Sequence, residues 1–177
     1  MTCRILPLVI AFALLWAPTS SAQITEEVSD ITGEYRVAFE EMNDLWIDTY
    51  AGDYGAYMAR YTSNPTTDRE RWSLVFYGFT SSTTSMASAS EVRVNIDNQG
   101  IRPLTVETRT RDLDGEIMEI VETHYSESVF ARIANADDVQ VLIGEETFRL
   151  PDREDMRLIV QAVGNAPSPT ASNDGGR

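Results

Sequence analysis

The stretch Val-Glu-Thr-His-Tyr-Ser-Glu-Ser, residues 121–128, holds the only histidine of the chain, His124, with Glu122 two residues before it and Ser126 and Ser128 after it. Histidine, serine and carboxylate are the residue types of nucleophilic hydrolysis. Such a base needs its nucleophile within hydrogen-bond reach and a third group to orient the ring. Ser126 and Ser128 stand where a helix is expected to begin, so their hydroxyls already have capping work. No Gly-x-Ser-x-Gly elbow occurs. The reading is therefore a strand histidine facing solvent, with no serine hydroxyl in reach.

The other chemistry-bearing patterns are weaker. With 28 acidic residues, neighbouring carboxylates are unavoidable, and nothing selects one pair as the two catalytic acids of a glycosidase. Asp112-Leu-Asp-Gly-Glu116 opens like a calcium loop. Its glycine falls two positions early, and Thr123 occupies the place of the closing glutamate, so a turn is expected instead. Phosphate loops, paired metal-binding histidines and dinucleotide-type glycine patterns are absent. No catalytic, cofactor-binding or metal-ligating residue is assigned, and no cofactor is expected.

These side chains must be held by secondary structure, and β signals dominate. Asp114-Gly115 is a favoured tight-turn pair between two β-like runs. Folding there sets Thr108 against Val121, Val106 against Thr123 and Leu104 against Tyr125. Leu104, Val106, Ile117, Val121 and Tyr125 then share one face. Glu107, Arg109, Arg111, Glu122 and His124 share the other, with Met118 and Ile120 nearer the turn. This register sets Glu107 opposite Glu122, a like-charge pair that either Arg109 or a cation bridges, unless the register is off by one.

Glu91–Asp97 alternates cleanly, with Val92, Val94 and Ile96 on one side, and is closed by turn residues Asn98 to Gly100. Trp72–Phe79 is apolar on both faces, as a central buried strand should be. Around Gly144-Glu145, a type II′ turn pairs Val141 with Phe148 and Val139 with Leu150. Two helices are legible: a short one from about Glu127 to Asn135 capped by Ser126, and one through Met156, Ile159, Val160 and Val163. The second has Asp152 as N-cap and ends at Gly164 and Pro167. The segment 34–50 fits either a helical stripe (Phe39, Met42, Trp46) or two strands joined at Asn43-Asp44. Its aromatic and β-branched residues favour strands.

The ends of the chain say where it works. Arg4, the apolar run Ile5–Trp16 and Ser20-Ser21-Ala22 follow the order of a secretory signal peptide. The run is too short for a membrane span. Cleavage after Ala22 removes Cys3, the one cysteine, so the mature chain has no disulfide and no Cys-ligated metal site. Residues 166–177 are small, polar and Pro/Gly-rich, as a disordered tail is; 80–90 reads as a Ser/Thr loop or mobile strand extension. Every one of the 14 basic residues is arginine, and the formal net charge is −14. Such an excess opposes nucleic acid and anionic membranes. Lysine-free, acid-rich composition resembles that of proteins from salt-loving bacteria.

Residues 130–163 also resemble a C-terminal segment of uncharacterised secreted bacterial β-rich proteins. There a helix ends in Ile-Ala-x-Ala, a Val-x-Val-x-Ile-Gly hairpin and Phe-x-Leu follow, then a last helix. The matching residues are Ile133, Ala134, Ala136, Val139, Val141, Ile143, Gly144, Phe148 and Leu150. The resemblance implies a fold and carries no function.

The expected architecture is α+β and mainly antiparallel, over residues 23–165. It is a curved sheet or small sandwich, with the short helix and the C-terminal helix packed on it. The expected function is a secreted, periplasmic or cell-surface binding or structural module, without catalysis. Its partner would be a protein or small molecule, not nucleic acid, with no membrane insertion after signal cleavage. A small hydrolase built on acidic residues and a carrier of an apolar molecule are the alternatives.

Overall fold

The computed structural model describes residues 24–39, 43–45, 54–80, 86, 89, 91–151 and 153–165. The expectations for the signal segment, the tail, Asp152, most of 80–90 and Trp46–Tyr50 lie outside these residues. The elements are β1 (Ile24–Val28), β2 (Tyr35–Phe39), β3 (Asn43–Leu45), β4 (Tyr54–Asn64), β5 (Arg69–Thr80), β6 (Val92–Ile96), β7 (Gln99–Ile101), β8 (Thr105–Leu113) and β9 (Glu116–Tyr125). They continue with α1 (Glu127–Asn135), β10 (Val139–Ile143), β11 (Glu146–Arg149) and α2 (Glu154–Asn165). The fold is α+β with wholly antiparallel pairing. A seven-stranded sheet runs β1-β2-β4-β5-β9-β8 with β3 beside β4, and a four-stranded sheet runs β11-β10-β6-β7. The larger sheet is open, its edges being β1 and β8.

The turns explain much of the pairing. Asp114 and Gly115 both have positive φ (54° and 101°), the geometry of a two-residue type I′ hairpin. The expected pairs Thr108↔Val121 and Val106↔Thr123 form. Gly144 has φ 62°, and Val141 pairs with Phe148 as the turn requires. The β6–β7 turn differs from expectation: it is Asp97-Asn98, with φ 47° and 67°, and Gln99-Gly100 already belong to β7. Asn and Asp tolerate the left-handed region better than other non-glycine residues. Asn43 and Asp44, read as a turn, instead pair with Tyr57 and Ala56 of β4.

One face of the larger sheet builds the core. Val37, Tyr61, Trp72 and Tyr125 form one apolar tier, and Tyr57, Phe76 and Val121 another. They join Val94, Val141 and Phe148 of the small sheet and Phe130, Ile133, Met156 and Ile159 of the helices in one buried cluster. Tyr61 packs tilted against Trp72 at 4.7 Å and Trp72 against Phe130 at 5.3 Å, within the favourable distance range for aromatic pairs.

Helix α1 begins where expected, Ser126 accepting from the Val129 N–H. Its C-terminal carbonyls are claimed by arginines around α2. Arg157 donates to Ala134 O and Arg153 to Ala136 O and Leu150 O. Arginine's fork of donors lets one side chain join a helix end to a strand end. Among the described residues, no helix is long and apolar enough to cross a membrane.

Candidate functional site

The opposite face of the larger sheet carries the chemistry. Strand alternation sends Ser73 of β5, Glu122 and His124 of β9, and Glu107 and Arg109 of β8 to that side. The register sets Ser73 beside His124, and His124 beside Thr105. Arg60 of β4 lies across from Ser73.

His124 is where the structure departs from the sequence reading: its ring is buried, 6% exposed. The expectation of a solvent-facing ring treated β9 as flanked by β8 alone. In fact β9 is an interior strand, with β5 on its other side, so even its polar face is walled in. The expectation that no serine hydroxyl lies in reach fails too. Ser73 Oγ is 2.9 Å from His124 Nδ1, while Ser126 and Ser128 bond each other at the α1 cap. His124 Nε2 has no hydrogen-bond partner among the described residues and faces Glu107 Oε1 at 3.6 Å and Glu122 Oε1 at 3.8 Å.

Serine, imidazole and carboxylate thus stand in line, but access decides the chemistry. Ser73 is 1% exposed, so its hydroxyl cannot meet a substrate carbonyl without opening the sheet. The two carboxylates favour a proton on Nε2, which leaves Nδ1 to accept from Ser73. This is a satisfied, structural hydrogen bond on one side of the ring and an electrostatic seat on the other.

The like-charge opposition of Glu107 and Glu122 is real, and arginine relieves it. Arg109 Nη2 donates to Glu122 Oε2 at 2.8 Å. Arg60, unforeseen from the sequence, grips Oε1 from the other side. Donor atoms of Glu107, Glu122 and His124 lie within 4.8 Å of one another, a spacing a metal could use. However, both oxygens of Glu122 are engaged by guanidinium groups, and a divalent cation would sit against two positive charges. The geometry favours arginine over metal here.

Beside this network the same face forms a concavity of about 310 Å³ lined by Arg36, Arg60, Arg69, Arg71, Thr62 and Glu122 among others. Arg36, Arg69 and Arg71 make no ion pair with a described carboxylate, whereas Arg60, Arg93, Arg102, Arg109 and Arg149 do. The Nε atoms of Arg36 and Arg60 are buried without a hydrogen-bond partner among the described residues. Sequence reasoning missed this group because its members come from β2, β4 and β5. One signal was available: Arg69-x-Arg71 has the two-residue spacing that puts both side chains on one face of a strand. Set against protein-family models, curated proteins and solved structures, the chain matches none.

Proposed function

We propose that the protein is an exported, non-catalytic binding module, working in the periplasm or at the cell surface, whose ligand sits in the concavity on the outer face of the larger sheet. The observation that carries this is the convergence on one concavity of Arg36, Arg69 and Arg71, none of which makes an ion pair with a described carboxylate, beside Arg60. Guanidinium groups gathered at a concave surface without carboxylate partners keep donors for something else. The Arg4, Ile5–Trp16, Ala22 order supports export, and intact mass of the exported chain should then begin at Gln23.

A hydrolase is the second reading, because Ser73, His124 and Glu107 are aligned. The burial of Ser73 speaks against it. The two readings separate in one experiment. Thermal unfolding is followed across a small-molecule set for the wild type and for Thr62→Trp, which fills the floor of the concavity. A binding module gives ligands that stabilise the wild type alone, by about 2.7 kcal/mol at a hundredfold excess over Kd. Ester hydrolysis abolished by both Ser73→Ala and His124→Gln would overturn the proposal.

A further inference from the structure

We infer that the ligand of this concavity presents a tetrahedral oxyanion, a phosphate or sulfate group carried on a small molecule; the inference rests on the binding-module reading above.

The charge distribution points there first. The chain carries 28 acidic residues against 14 basic ones, so an arginine placed at random on the surface meets a carboxylate easily. Around the concavity the balance reverses. Arg36, Arg60, Arg69 and Arg71 line it with Glu34 and Glu122 as the only carboxylates among its described lining residues. Glu122 is occupied by Arg60 and Arg109. A local positive potential has been kept inside a strongly negative molecule. That field would draw an anion into one place and repel it elsewhere.

The register supplies the geometry. Arg36 pairs with Thr62, and Thr62 pairs with Arg71. The two arginines therefore flank one threonine on the same face, their Cα atoms two strand spacings, roughly 9.6 Å, apart. Two guanidinium groups arching inward from that separation can meet on a single oxyanion above the Thr62 hydroxyl. Arg60 lies two residues along β4 on the same face, beside Thr62 in the lining. Arg69 stands two residues before Arg71 at the rim. Planar guanidinium forks suit oxyanions because they give two parallel N–H donors each, where a lysine ammonium would act as a point charge. The available volume exceeds that of a bare phosphate, which leaves room for the rest of a small molecule. A cation has no comparable seat, since the nearby carboxylates are already paired or lie beside guanidinium groups.

The test uses the full mature chain and thermal unfolding with inorganic phosphate, sulfate, glucose and putrescine, each at ionic strength matched with sodium chloride. Phosphate or sulfate should raise the melting temperature saturably where chloride does not. Arg36→Gln and Arg71→Gln should each weaken the apparent Kd about tenfold or more, the scale of one charge-assisted hydrogen bond. Arg132→Gln, on α1 against Gln99, should leave the Kd within about twofold, as a remote charge does under screening. If neither anion exceeds chloride while glucose or putrescine stabilises the wild type but not Thr62→Trp, the oxyanion inference falls and the binding site stands. If no probe acts and Thr62→Trp behaves as wild type, both fall. An anion effect weakened equally by Arg132→Gln and Arg71→Gln would also overturn the inference, because it would reflect general charge screening.

Discussion

Glu122→Gln isolates the electrostatic centre of the outer face. The Glu122 side chain is 3% exposed, while Arg60 and Arg109 are 26% and 50% exposed. A hydrogen bond to a charged partner contributes about 1.5–3 kcal/mol. The better-buried Arg60 contact belongs near about 2 on that scale. Solvent screening cuts the half-exposed Arg109 contact to about 1 or less. Glutamine keeps one carbonyl oxygen as acceptor, so part of one bond survives. It also removes the charge facing Glu107, which returns a few tenths of about 1 kcal/mol. The net loss is about 2 kcal/mol, or roughly 4–8 °C in Tm for a domain of this size. Urea unfolding followed by the fluorescence of buried Trp72 measures it directly. Glu107→Gln is the control, its side chain being half-exposed and without a guanidinium partner among the described residues, and it should cost about 0.5 kcal/mol or less. Equal losses from the two variants would refute the argument, because they would mean that the paired arginines hold nothing in place.

Three further outcomes follow from burial. His124→Gln should cost about 1–3 kcal/mol by breaking the Ser73 bond inside the sheet; a change below about 0.5 kcal/mol in urea unfolding would show that the ring is solvated after all. Phe148→Ala should cost about 3–5 kcal/mol, since the ring is 1% exposed in the shared core; the midpoint of denaturant unfolding reads this. Tyr125 has a buried hydroxyl that meets no partner at full hydrogen-bond geometry among the described residues; burial raises its pKa above the usual 10, and the nearby Thr123 hydroxyl offsets only part of that rise. The folded state holds that proton more tightly, so its contribution is complete below pH 10 and is lost as pH climbs through the raised value. Tyr125→Phe should therefore lose no stability at pH 7 and should resist alkaline unfolding better than the wild type, as a pH series of melting curves would show.

The parts of the fold that could be read from the sequence are those whose information is local. Asp114-Gly115 and Gly144-Glu145 encode their hairpins in two residues each, and the registers then follow from chain continuity. Ser126 and the Phe130, Ile133, Ala134 stripe encode α1 in nine residues. Strand β4 escaped notice although it is central to the larger sheet. Its sequence, Tyr-Gly-Ala-Tyr-Met-Ala-Arg-Tyr-Thr-Ser-Asn, alternates buried Tyr57, Ala59 and Tyr61 with half-buried Met58, Arg60 and Thr62, but glycine and alanine dilute the β signal. Gly55 of β4 pairs with Gly78 of β5, and a Cβ at Gly78 would approach Met86 Sδ to 3.2 Å. A side chain there would press on Met86, a neighbour eight residues away along the chain.

The candidate site shows the same divide at higher stakes. The opposition of Glu107 and Glu122 was visible in the hairpin register, with Arg109 or a cation as candidates to relieve it, because these residues lie within one β-turn-β unit; Arg109 bonds Glu122 and not both. The burial of His124 was not, because it depends on β5, whose Ser73 is 51 residues away in sequence. An isolated hairpin has a wet face; the third strand dries it. The arginine group extends this further, since Arg36, Arg60 and Arg71 belong to three different strands and come together on one face only through the order β2-β4-β5. Nor does composition help, for in a chain with twice as many acids as bases each arginine reads alone as a salt-bridge partner. What distinguishes Arg36, Arg69 and Arg71 is that none makes an ion pair with a described carboxylate where so many are available, and that property belongs to the folded surface.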